Sequence, residues 1–129
     1  YILGLHKNYT SGVVFDTMDA LKEQIQYSFY EDYIIGTSFK QMLEEAKSFC
    51  ANSPFGLELD MDAIKQMASS AISPSGFSLQ QAREYVSYFS RLKNCQYIHI
   101  CEGAPSRDLH YNQVAKALSY LVSDVISKA

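Results

Sequence analysis

Apolar runs with a period of two alternate along this chain with runs whose apolar positions recur every three or four residues. Tyr1-Ile2-Leu3-Gly4-Leu5-His6 reads as a strand, followed by a loop at Asn8, Thr10, Ser11 and Gly12. Asp16-Thr17 is placed to cap a helix that runs through Gln24. Tyr27 to Ile35 is rich in aromatic and β-branched residues and carries Glu31 and Asp32; it predicts a short strand and a turn. After Gly36-Thr37-Ser38, residues Phe39, Met42, Leu43, Ala46 and Phe49 fall at helical spacing, with Lys40, Glu44, Glu45 and Lys47 largely on the opposite side. Asn52-Ser53-Pro54 ends that helix.

The next run, Phe55 to Asp62, alternates strictly, so side chains two apart point to the same face of a strand. Phe55, Leu57, Leu59 and Met61 are expected on one face, and Glu58, Asp60 and Asp62 on the other. Met67 to Gly76, rich in Ser, Ala, Pro and Gly, predicts a loop. Ser78 caps a helix with Leu79, Ala82, Tyr85, Val86 and Phe89 on its inner face. Cys95 to Cys101 reads as a strand, Gly103 to Ser106 as a loop, and about Asp108 to Ser127 as a last helix. Val114, Leu118, Leu121, Val122, Val125 and Ile126 are expected to face inward from it. Strands alternating with helices make an α/β protein with a mostly parallel sheet. The chain has no internal repeat and no low-complexity segment.

Composition narrows the class. With 129 residues, 47% hydrophobic and 19% charged, the chain matches a soluble globular protein of one domain or a piece of a larger one. A net charge of −3 argues against a broad nucleic-acid or anionic-membrane surface, and no apolar stretch approaches the ~20 residues that cross a bilayer. The first residue is Tyr1 within a strand-like run, which suggests a chain cut from a longer protein. Cys50, Cys95 and Cys101 are odd in number and lack CxxC spacing; they read as reduced thiols of a cytoplasmic protein.

Chemistry concentrates in the acids. Ligands of open parallel sheets bind beyond the carboxyl ends of the strands. Asp60 and Asp62 stand at one such end and Glu102 at another. Paired carboxylates repel, and a hard divalent cation between them relieves the repulsion. Acids two apart on a strand have Cα atoms ~6.5–7 Å apart, a span that brackets two ions ~3.5–4 Å apart. The bland alternative stays open: a bare Asp-x-Asp is common, and acids at strand ends also cap helices and turns. His6, His99 and His110 have no metal-motif spacing and read as structural or surface residues. The tyrosines Tyr27, Tyr30, Tyr33, Tyr85 and Tyr88 read as packing residues, and no serine sits in a nucleophile elbow.

The run Leu59-Asp60-Met61-Asp62-Ala63-Ile64, the loop ending Ser73-Pro74-Ser75-Gly76-Phe77-Ser78, and the run Ile100-Cys101-Glu102-Gly103-Ala104-Pro105-Ser106-Arg107-Asp108 together resemble the C-terminal third of the ureohydrolases: the arginase, agmatinase and formimidoylglutamase family. Order and spacing agree over about residues 55 to 127, and residues 1 to 54 resemble the preceding strand-helix units more loosely. The resemblance implies a three-layer α/β/α fold, residues 1 to 129 being the C-terminal segment of an arginase-like domain. It implies two manganese ions in the parent protein, with Asp60 and Asp62 as metal ligands and Glu102 as the acid that holds a guanidino or formimino group. It implies hydrolysis of a C–N bond of a linear amidine by a metal-bridging hydroxide, and a segment inactive on its own.

Departures from the family pattern bear on the substrate. Glu58 stands where Ser or Thr is usual, Lys65-Gln66 replaces Asp-Pro, and Gly103-Ala104 replaces Val-Asn. These resemble divergent formimidoylglutamase-like members more than arginases. The family's upstream His and Asp-x-His-x-Asp ligands have no counterpart in the 129 residues, so the chain carries half a metal site. Two other readings are a non-catalytic arginase-fold protein and an arginase or agmatinase activity. A magnesium-dependent phosphatase or glycosyltransferase motif is a further one, though Ile64 occupies the place where the phosphatase wants Thr or Val. The expected partners are a small amidine substrate and further copies of the chain, since a half-cut sheet leaves an edge and apolar surface uncovered.

Overall fold

The alternation of Phe55, Leu57 and Leu59 produces a strand, with Leu57 and Leu59 buried and Glu58 and Asp60 exposed. The computed structural model describes residues 1–106 and 108–127, without the side chains of Asp108 and Leu109. Arg107 and the side chain of Asp108, part of the resemblance, lie outside the described residues. The chain divides into two compact units, Tyr1–Asn52 and Ser53–Ala129, both of the α/β kind.

In the first unit, β1 (Ile2–Leu5) pairs in parallel with β2 (Tyr27–Phe29), with a register shift between Leu3 and Leu5 where Gly4 takes a φ of 84°. Helix α1 spans Gly12–Ala20, four residues ahead of the predicted start. Ser11 takes the extended cap conformation, and the Thr17 hydroxyl bonds back to the Val13 carbonyl at 2.8 Å instead of capping. Val13 and Val14 lie on its exposed side, which is why periodicity did not mark them as helical. Tyr27 to Ile35 is a strand followed by a short helix, α2 (Tyr30–Ile34), not a strand and turn. Asp32 accepts the Phe29 N–H at 3.4 Å, so this acid serves the helix start. Helix α3 (Phe39–Cys50) begins as expected, with the Ser38 hydroxyl accepting from the Gln41 N–H, and buries Phe39, Met42, Leu43 and Ala46.

The second unit pairs β3 (Phe55–Asp60) in parallel with β4 (Cys95–Cys101). The register sets Leu57 against Ile98, Glu58 against His99, Leu59 against Ile100 and Asp60 against Cys101. The Tyr97 ring lies across Gly56 and leaves no space there for a Cβ. Helix α4 (Leu79–Ser90) is started by a capping box: the Ser78 hydroxyl accepts from the Gln81 N–H, and the Gln81 side chain accepts from the Ser78 N–H. It packs on the strands through Ala82, Val86 and Phe89. Helix α5 (Asp108–Ile126) packs on α4, and Arg83 on α4 grips Asp124 on α5 with two hydrogen bonds of 2.7 and 2.9 Å.

The inward face of α5 is narrower than its apolar pattern suggests. Val114, Ala117 and Leu121 are buried, whereas Val122 and Ile126 are 47% and 72% exposed. Three-residue and four-residue steps from Val114 reach Ala117 and Leu121, and the small Ala117 gave no apolar signal. Among the described residues no helix is long and apolar enough to cross a membrane, and Cys50, Cys95 and Cys101 are free thiols.

Candidate metal centre

The strand expected to run through Asp62 ends at Asp60, the last residue of β3, and Asp62 lies beyond it. Met61–Ala63 forms a 3-10 turn, so the two acids do not share a strand face. The cause is Asp60 itself. Its carboxylate Oδ1 accepts the Asp62 N–H at 2.8 Å, which caps the turn and bends the chain out of the strand. Met61 still points inward and is 1% exposed.

The loop that follows turns back over the strand ends. Gln66 adopts a left-handed φ of 58°; its N–H bonds the Ser73 carbonyl at 2.7 Å, and its carbonyl accepts from Gln113 Nε2 on α5 at 3.0 Å. The same Gln113 accepts the Ala68 N–H through Oε1 at 3.1 Å. Met67, Ala68 and Ser69 are buried and form a strap. Ser69 bridges Gly103 in antiparallel fashion, the Ser70 N–H donates to the Glu102 carbonyl and the Ala104 N–H to the Ala68 carbonyl, each at 3.0 Å. The far end of the loop is pinned to the 3-10 turn by the Phe77 N–H to Ala63 carbonyl bond of 2.9 Å. Gly76 is needed there: it has a φ of 148°, and a Cβ would come 2.6 Å from the Ala63 carbonyl oxygen. Gly103 packs closely beside the strap, where a Cβ would come 2.9 Å from the Met61 sulfur and push that side chain aside.

The strap ties the two strand ends together chemically. Asp62 Oδ1 accepts the Ala71 N–H and Oδ2 accepts the Ser70 hydroxyl, both at 2.9 Å. Burial opposes ionisation of Asp62, but hydrogen bonds from the Ser69 and Ser70 side chains and the Ala71 N–H outweigh it and hold the carboxyl below its usual range. Asp60 goes the other way. Burial raises its pKa, and the neighbouring charges of Asp62 and Glu102 raise it further against the lowering by the Asp62 N–H. The Cys101 thiol is pushed up by burial and then by Asp60, Glu102, Glu58 and Asp62, so four acids act on this one point. Among the described residues no lysine, arginine or histidine pairs with Asp60, Asp62 or Glu102; His99 pairs with Glu58 instead, at 3.6 Å.

Glu102 follows β4 with a left-handed φ of 64°, a conformation that costs a residue with a side chain ~1–2 kcal/mol and clusters at functional sites. The structure thus brings Asp60, Asp62 and Glu102 into electrostatic contact at the carboxyl end of two adjacent parallel strands. It leaves His6 in the first unit, His99 against Glu58, and His110 beside Ser106 at 3.4 Å. Ser70, Ala71 and Gln113 were missed in sequence reasoning. The small-residue run Ala68-Ser69-Ser70-Ala71 is the one signal for the first two, and Gln113, on the exposed side of α5, gave none.

The donor set fits a hard divalent cation in kind. Both acids offer carboxylate oxygens, and Asp60 carries the repulsion that a cation would relieve. It falls short in number: among the described residues no group of three or more His, Cys, Asp and Glu is arranged to hold a metal ion.

The sequence matches no protein-family model and no curated protein. Solved structures do match. The chain is similar to formimidoylglutamase from Bacillus subtilis subsp. subtilis str. 168, with a TM-score of 0.80 and 22% identity over 96% of this chain and 39% of that one. It is similar to arginase from the same organism, with a TM-score of 0.82 and 14% identity over 99% and 43% of the two chains. It is also similar to Trypanosoma cruzi formiminoglutamase solved with Mn2+, with a TM-score of 0.78 and 14% identity over 98% and 44%. The chain spans about 40% of the length of the structures it matches. Over that span it has the α/β fold of the arginases and formimidoylglutamases.

Proposed function

We propose that this chain supplies one wall of a two-manganese site in a hydrolase of linear amidines, formimidoylglutamase-like in its substrate, and that it is the C-terminal segment of an arginase-like domain. The observation that carries the reading is the set of three acids that have no cationic partner among the described residues, gathered at adjacent strand ends and tied by one strap. The fold likeness to formimidoylglutamase and arginase structures, one of them a manganese complex, supports it.

Asp60 and Asp62 would hold the metal. Asp62 is ionised and fixed, since each oxygen already accepts one hydrogen bond and keeps a further lone pair. Asp60 has one oxygen engaged by the Asp62 N–H and Oδ2 free to ligate. Bound manganese would supply Lewis-acid activation of a water near neutral pH. Glu102 would receive the cationic amidine nitrogens of the substrate and orient the carbon to be attacked. The remaining ligands come from outside this chain, which alone is inactive. A cytoplasmic homo-oligomer is the proposed setting.

The test is manganese binding and hydrolysis of formiminoglutamate, arginine and agmatine by the full-length protein and its Asp60→Asn variant. Binding and formiminoglutamate turnover that disappear in the variant support the reading. Tight folding with no metal binding and no turnover favours the second reading, a non-catalytic protein of the same fold, which the short donor set among the described residues also fits.

A further inference from the structure

Ser70 stands where the two halves of the candidate site meet. Its hydroxyl donates to Asp62 Oδ2 at 2.9 Å, and its backbone N–H donates to the Glu102 carbonyl at 3.0 Å. One residue therefore touches both the proposed metal ligand and the backbone of the proposed substrate acid. The strap beneath it is held independently, by Gln113 at Gln66 and Ala68 and by the Ala104 N–H at the Ala68 carbonyl.

We propose that Ser70 is a positioning residue for the metal centre, aiming the Asp62 carboxylate while holding it in register with Glu102. The inference rests on the reading of Asp62 as a manganese ligand. A carboxylate hydrogen-bonded on both oxygens, as Asp62 is by the Ala71 N–H on Oδ1 and the Ser70 hydroxyl on Oδ2, cannot rotate about its Cβ–Cγ bond without breaking them, so its free lone pairs keep fixed directions. Ala71 supplies one bond through its backbone, which no side-chain change removes. Ser70 supplies the other through a hydroxyl on an exposed residue. Removing that hydroxyl empties no buried space and leaves the N–H to Glu102 in place. It removes the bond that fixes Oδ2 and lets that oxygen leave its direction, while the Ala71 N–H still holds Oδ1.

The experiment compares manganese affinity, by titration calorimetry, and the melting temperature of the metal-free protein in full-length wild type, Ser70→Ala, Ser70→Thr and Asp62→Asn. Ser70→Ala is expected to weaken manganese binding about 10–100-fold, the range typical of groups that orient metal ligands. Its metal-free melting temperature is expected to stay at the wild-type value, and Ser70→Thr, which keeps the hydroxyl, is expected to bind as wild type does. If Ser70→Ala binds manganese as well as wild type while Asp62→Asn does not, Ser70 does not position the ligand and the metal reading stands. If Ser70→Ala and Ser70→Thr are equally weak and both melt early, the residue is merely structural and the proposal fails. If wild type binds no manganese, the underlying reading falls and takes the proposal with it.

Discussion

Asp62 donates its backbone N–H to the carboxylate of Asp60 at 2.8 Å. Asp60 is therefore the cap of the 3-10 turn as well as a member of the acid cluster, and the two roles respond differently to substitution. Asn caps as well as Asp, whereas Ala does not. Asp60→Asn is expected to match or exceed wild-type stability, because it keeps the cap and removes the repulsion from Asp62 and Glu102. Asp60→Ala is expected to be about 1 kcal/mol less stable than Asp60→Asn, which keeps the cap. Urea unfolding of the two variants separates the effects; an Asp60→Ala protein as stable as Asp60→Asn rules out the cap.

The Arg83–Asp124 pair makes the packing of α5 on α4 sensitive to acid. The Arg83 hydrogen bonds hold the Asp124 carboxyl below its usual range, outweighing its burial. The folded pKa is lower than the unfolded one, so the contribution is present above the unfolded value, about pH 4, and is lost as pH falls through the folded value. Asp124→Asn is expected to lower the melting temperature at pH 7, and the deficit is expected to shrink as pH falls below about 4. A deficit that stays constant all the way down the acid range would mean the effect is packing and not charge.

Gln113 is expected to matter more than its surface position suggests. It satisfies the Ala68 N–H, on a residue only 1% exposed, and the Gln66 carbonyl. Gln113→Ala leaves the buried donor unpaired, which costs ~1–3 kcal/mol. Amide exchange at Ala68 is expected to speed up in that variant by more than exchange at Leu57, in the interior of β3, which changes only as far as global stability does. Unchanged exchange at Ala68 would show that the strap does not need the clamp.

The exposed strip of α5, with Tyr111, Val122 and Ile126, is expected to drive self-association of the chain. Replacing Val122 and Ile126 together by Glu removes apolar surface and adds charge without touching a buried residue. Light scattering should report a shift to lower mass; a wild-type chain that is a clean monomer overturns the expectation.

The order of strands and helices was legible because buried and capped positions alternate plainly. Leu57 and Leu59 mark β3, Ser38 and Ser78 mark helix starts, and all four residues lie where the pattern put them. The α1 start was hidden because Val13 and Val14 face outward, so apolar residues there carry no period. The narrow inner face of α5 was hidden because burial depends on which neighbour is present, and Val122 has none in the described residues that removes it from water. Asp60, Asp62 and Glu102 were found as types and positions, but alternation alone placed Asp62 on the strand. The side-chain cap that ended the strand is a competing local bond that alternation does not record. The strap was out of reach for a different reason: Ser70 and Gln113 act across 8 and 45 residues of sequence, on Asp62 and Ala68.

The left-handed backbone at Glu102 sets what substitution can reach at that point. Glycine adopts this conformation freely, and its replacement of Glu102 would relax the chain at the cost of the acid. The fold alone would be better served by the smaller residue. On the reading of Glu102 as the substrate acid, the backbone cost at this bend is what keeping the carboxylate entails, a cost that the change to glycine would remove together with the acid.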